Sequence, residues 1–336
     1  DGDSLSDTVE LYGYGGVDLK YWGASPLRKD KFIEIDYYPG LKPYDQAITD
    51  VVAAFANAPV ENPDGSKGIN LIIDLSDEID AVDADPDLNP VWTDFDTIKN
   101  KYYPQRREPI FHYGLFANRH DGAGSSGQSR GIPGHDFVVT MGPWTVPGGT
   151  LRQQTGTLMH EFGHNIGLRH GGNENMNYKF NYLSVMNYNY QLRGLRVSGV
   201  DGIMDFSRLE IAELDELALD EQAGMAPVFG SSTTNAELAK SGVLSDLFRD
   251  WHQGFSTGWL DFDNDGLIDV EPVAVNLDSS WTRDDVYSAS QNDWHAMVYH
   301  GGNTIGDLFL GASQGLADPS NFVHYLDTPQ CMSEFD

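Results

Sequence analysis

Residues 160–170 read HEFGHNIGLRH. On a helix, His160 and His164 are four positions apart. That is about 400° of rotation, so both rings fall on one face, one turn apart. Two ring nitrogens placed in this way can reach one metal ion at about 2.0–2.1 Å. Glu161 sits beside the first His and is not needed as a ligand. A carboxylate there can accept a proton from a water that the metal activates. Gly167 permits a sharp turn that a β-carbon would resist, and the chain can then return His170 as a third ligand. Three His ligands leave one coordination position open, which distinguishes a catalytic zinc site from a structural one. The expectation is one catalytic Zn2+ on His160, His164 and His170, with Glu161 as general base.

Two acidic stretches suggest a second kind of metal chemistry. Residues 261–271 read DFDNDGLIDVE. Asp261, Asp263, Asp265 and Asp269 fall at positions 1, 3, 5 and 9 of an EF-hand-like loop. Gly266 stands at position 6, and Leu267 offers its carbonyl at position 7. Position 12 is Pro272, so Glu271 or a distant carboxylate must complete the set. The opening DGDSLSDTVE fits the same loop with its beginning removed. Asp1, Asp3, Leu5, Asp7 and Glu10 take positions 3, 5, 7, 9 and 12, and Ser4 replaces the usual glycine. One or two structural Ca2+ are expected.

The elements that would carry these residues follow from periodicity. KFIEIDYY (31–38) alternates apolar and polar residues as a strand does. Ala47, Ile48, Val51, Val52 and Phe55 are spaced for a helix over 44–58. INLIIDL (69–75) reads as a buried strand, 93–103 as helical, IFHYGLFA (110–117) as a strand, and 120–134 as a flexible Gly/Ser loop. DFVVTM (136–141) is a further strand. A helix is expected over 150–166, capped by Thr150 and ended by Gly167. Another helical segment is expected near 208–222. The fold class implied is α+β: a mixed layer with the last of these helices under the sheet. The chain is read as a single catalytic domain, with an upper subdomain to about residue 167 and a mostly irregular or helical lower one over 168–336.

The chain has 336 residues, with 21 Lys+Arg against 51 Asp+Glu and a formal net charge of −30. Such a surface repels phosphate, so nucleic acid and anionic membrane are poor partners. No apolar run is long enough to span a bilayer. The first residues carry no basic-then-apolar leader and read as the cut edge of something longer. The single cysteine, Cys331, excludes an intramolecular disulfide and a Cys-rich zinc module.

HExxHxxGxxH followed by a Met-containing turn resembles the metzincin zinc endopeptidases. The turn candidate is Ser184-Val185-Met186-Asn187-Tyr188. The resemblance implies that Met186 forms a hydrophobic floor beneath the three imidazoles. It implies that the Tyr188 phenol hydrogen-bonds the oxyanion of the tetrahedral intermediate. It also implies that 136–141 is an antiparallel edge strand to which a protein or peptide substrate adds in extended form. Gly171-Gly172 after the third His departs from the better-known groups, so the subfamily stays open, in a secreted bacterial type. The expected activity is a secreted, monomeric zinc endopeptidase. The alternatives are a selective processing protease or aminopeptidase on the same site, or a catalytically silent adhesion or matrix-binding protein.

Overall fold

The computed structural model describes residues 1–197, 200–225, 260–263, 265–277 and 285–299. Cys331 lies outside them. The chain forms two compact units, one from Asp1–Leu168 with Met297–Asp336, the other from Arg169–Ala296.

The first unit is α+β. Its elements are α1 (Asp7–Tyr12), β1 (Asp30–Tyr37), α2 (Asp45–Ala56), β2 (Asn70–Glu78), α3 (Val91–Tyr102), β3 (Phe111–Phe116), β4 (Gly127–Ser129), β5 (Asp136–Val139) and α4 (Leu151–Asn165). The five strands form one mixed sheet in the order β2-β1-β3-β5-β4. All neighbours are parallel except β4, which runs antiparallel to β5. Ala47, Val51 and Phe55 form the buried stripe of α2; Val91, Phe95 and Ile98 form that of α3.

Four sequence expectations are corrected here. The stretch 136–141 is not the sheet edge: β5 lies between β3 and β4, and β4 is the terminal strand. The Gly/Ser stretch 120–134, expected as a flexible loop, contains β4, and Ser125, Ser126 and Ser129 are buried. Conversely, the apolar run in β2 is only half-buried, since β2 is the other edge. The alternation in β1 does not produce an exposed face: all but its last residue are buried. Two of its buried carboxylates have partners instead: Arg107 pairs with Glu34 at 2.5 Å, and the Tyr113 hydroxyl donates to Asp36 at 2.7 Å.

The second unit has little regular structure. It contains α5 (Tyr188–Gln191), the hairpin of β6 (Leu195–Val197) and β7 (Val200–Ile203), the pair β8 (Leu214–Asp215) and β9 (Val286–Tyr287), and α6 (Asp293–Ala296). The helix expected over 208–222 is absent. Leu209, Ile211, Leu214 and Leu219 are buried, but on extended chain: β8 pairs with β9, and Leu219 bridges Val273. Glu216 accepts from the amide of Leu277 at 2.6 Å. These long-range bonds take up backbone and side-chain groups in place of an i to i−4 ladder.

Candidate metal centre

The centre is built on α4. Thr150 caps it with a reciprocal pair of bonds: its hydroxyl accepts from the Gln153 amide at 3.4 Å, and the Gln153 side chain accepts from the Thr150 amide at 2.8 Å. At the other end Gly167 has φ +94°. The Leu168 amide donates to Gly163 O at 2.9 Å and the Gly167 amide to His164 O at 3.0 Å, which is the Schellman closure. Between these ends every residue from Gln154 to Asn165 is buried. A polar helix buried all round needs partners for its side chains. Asn165 supplies several. Its amide donates to the Ser129 hydroxyl at 2.7 Å and to Asp136 O at 3.2 Å, and its oxygen faces His112 Nδ1 at 3.1 Å. One side chain thus ties α4 to three strands.

His160, His164 and His170 are all buried, and each offers a ring nitrogen within 4.8 Å of the others. The His160 and His164 ring centroids are 4.7 Å apart. Two of the rings are oriented by carbonyl oxygens, which only accept. His164 Nδ1 therefore donates to Leu168 O at 2.8 Å, and His170 Nδ1 to Asn177 Oδ1 at 2.7 Å. The proton is on Nδ1 in both, so each Nε2 keeps its lone pair. That is the donor state a metal requires, and such Nδ1 partners are what orient metal-bound imidazoles. Burial lowers the pKa of His170 to about 4, against the Asn177 hydrogen bond, so its ring is neutral near pH 7. The residues present therefore fit a metal ion.

Glu161 is fully buried beside them. A β-carbon at Gly127 would stand 2.8 Å from Glu161 Oε1 and 2.5 Å from Val138 O. The backbone of β4 thus passes directly against the carboxylate, and glycine alone allows it. Neither Gly127 nor Asn165 stands out in the sequence: a glycine signals close approach only inside a strand, and 120–134 reads as a loop.

Within the second unit, Met186 is fully buried and Tyr188 nearly so. The Tyr188 ring lies 4.4 Å from that of His170. Asn187 holds the turn, donating to Lys179 O at 2.6 Å and Tyr182 O at 2.8 Å and capping α5. The two glycines after His170 also have structural reasons. Gly172 has φ +85°, and a β-carbon on Gly171 would meet Glu174 Cγ at 2.9 Å.

The acidic loops gather only partly as expected. Asp1, Asp3 and Glu10 offer carboxylate oxygens within 4.8 Å of one another; Asp7 is not in that group, and its side chain is exposed, while Leu5 is half-buried. In the other loop Asp263, Asp265 and Asp269 form one group, and Asp261 and Asp263 form a second with Glu221. Asp261 accepts from the amides of Asp265 and Gly266. Leu267 exposes its side chain, and Glu271 joins neither group. Glu221 is buried and accepts from the amides of Phe262 at 2.7 Å and Asp269 at 2.8 Å. Glu221 is thus a carboxylate distant in sequence that joins this loop. No helix among the described residues is long and apolar enough to cross a membrane.

No protein-family model matches the chain, and no curated protein is similar to it.

Proposed function

We propose that this chain is a zinc-dependent endopeptidase of the metzincin type. The observation that carries the reading is the buried group of His160, His164 and His170 with Glu161 on the same helix. The spacing HExxHxxGxxH supports it. So do the Nδ1 hydrogen bonds that leave Nε2 of His164 and His170 for a metal. Zinc bound there lowers the pKa of a water molecule and polarises a carbonyl.

The chain's own residues do the rest. Glu161 takes the proton of the attacking water and returns it to the leaving amine nitrogen. Tyr188, packed on His170, donates its phenol proton in a hydrogen bond to the oxyanion. Met186 supports the site from the buried turn that Asn187 holds. The terminal strand β4 offers its outer edge to an extended peptide. Because Gly127 of that strand lies against Glu161, a peptide paired there is brought alongside the proton acceptor.

The test is cleavage of unfolded casein by wild type and by Glu161→Ala, with bound zinc measured for both. The expected result is about one zinc in each and cleavage lost by roughly 10²–10⁴-fold in the variant. Equal cleavage by the two proteins, or a metal content that does not change when all three His are replaced, overturns the proposal.

A further inference from the structure

Glu10 is 1% exposed, and neither of its carboxylate oxygens has a hydrogen-bond donor among the described residues. Asp1 Oδ2 is in the same position. Both side chains point to one place, since Asp1, Asp3 and Glu10 each offer an oxygen within 4.8 Å of the others. Asp3 is fixed rigidly there: its two oxygens accept from the amides of Leu5 at 2.8 Å and Asp30 at 2.7 Å. The backbone turns through left-handed residues at Gly2 (φ +86°) and Ser4 (φ +79°). The Ser4 hydroxyl donates to the carbonyl of Tyr299, which pins the turn.

A buried carboxylate is tolerated when it is paired, hydrogen-bonded or protonated. Lys29 donates to Asp1 O, and the Lys31 ammonium is 3.5 Å from Asp3 O. The unpartnered Glu10 carboxylate and the free Asp1 oxygen thus share one buried place with Asp3.

We propose that Asp1, Asp3 and Glu10 form a calcium site, with Glu10 as its central ligand. An all-oxygen donor set selects a hard cation, and Ca2+ accepts the irregular geometry of a turn more readily than Mg2+ does. The site is independent of the proposed hydrolytic reaction and of the carboxylates around Asp261.

The test is equilibrium dialysis of the zinc-loaded full chain against calcium alone. Wild type is compared with Glu10→Gln and, as a control for the other acidic loop, Glu221→Gln. Glu10→Gln is expected to bind about one calcium ion fewer than wild type, and its melting temperature is expected to rise less on calcium addition. Glu10→Gln removes a carboxylate that has no donor, so the calcium-free variant is expected to melt no lower than wild type. If it does not fold, Asp1→Asn, at a half-buried position, is expected to weaken the same site about tenfold. Wild-type calcium stoichiometry and affinity in the folded variants overturn the proposal.

Discussion

In the first unit, Phe55 of α2 and Phe162 of α4 pack with ring centroids 5.6 Å apart, and neither is exposed. In the second, the centre of an equally buried region is Asp293. Both of its carboxylate oxygens accept from the Tyr182 hydroxyl at 2.8 Å, and it also takes the Ser207 amide at 2.9 Å and the Gln291 side chain at 3.1 Å. The second unit has apolar residues to bury, among them Phe180, Leu209, Ile211 and Phe262. They lie on short, irregular pieces of chain, and such pieces leave backbone groups that no ladder satisfies. Buried side chains take that part: Asn181 donates to Ala212 O and Ser288 O, and Lys179 to Gly171 O and Ala289 O. The first unit joins its regular elements by packing faces, with Asn165 as a polar tie; the second depends throughout on polar side chains that tie distant backbone together.

The largest expected effects test that contrast directly. Phe55→Ala should cost about 3–5 kcal/mol through lost burial and the cavity left behind. Asp293→Ala should cost a similar amount, since the buried donors it strands are each worth about 1–3 kcal/mol. The two differ in rescue. Phe55→Leu should recover much of the loss, whereas Asp293→Leu should recover none. Denaturant unfolding, followed by a probe in each unit, measures both. An Asp293→Leu protein as stable as wild type would end the comparison.

Asp293 also gives the contrast a pH signature. Burial raises its carboxyl from 3.8 to about 6, against the hydrogen bonds it accepts. The folded protein therefore holds this proton through a range where the unfolded chain has released it. The resulting stability is complete below about pH 4 and is lost as pH rises to about 6, a change of up to about 3 kcal/mol. Wild type minus Asp293→Asn should show that fall and stay flat above it. A difference that rises with pH would mean that the hydrogen bonds outweigh burial.

At the candidate metal centre the regular unit shows how little room it leaves. Gly127→Ala puts a methyl group 2.8 Å from Glu161 Oε1 and 2.5 Å from a strand carbonyl. Displacing the carboxylate by a fraction of an ångström should reduce turnover by up to about 10²-fold. Bound metal should be unchanged, because the three His are untouched. Loss of metal together with activity would show that the strand supports the whole helix and not Glu161 alone.

What was legible in the sequence divides along the same line. The His spacing, the Thr150 cap and the Gly167 stop all lie within one local pattern, and α4 forms where that pattern predicts. β1 announces itself by alternation, and β3 and β5 by apolar runs. β4 does not: GQS has no apolar pattern, and it is tied to α4 through Asn165, 36 residues beyond Ser129. The reading of 208–222 as helix failed for the same reason. Leu209, Ile211, Leu214 and Leu219 mimic a helical stripe, but bonds from Glu216 and Glu221 to chain more than 40 residues away decide their conformation. Long-range bonds between a side chain and the backbone leave no period to detect.

The smallest expected effect separates local from distant control of α4. Thr150→Ala removes the hydroxyl that accepts from the Gln153 amide and breaks the reciprocal pair. Its usual cost is about 1 kcal/mol. The capping end is exposed, while the rest of the helix from Gln154 onward is buried and held by Asn165 and the sheet. The loss should therefore stay at the first turn: global stability falls by about 1 kcal/mol, while zinc content and casein cleavage match wild type. Asn165→Ala should do the reverse, lowering turnover as well as stability, because it releases the end of α4 that carries His160, Glu161 and His164. If Thr150→Ala impaired cleavage as much as Asn165→Ala, the helix would be positioned by its local cap, and the centre would owe less to the strands than their contacts with Asn165 imply.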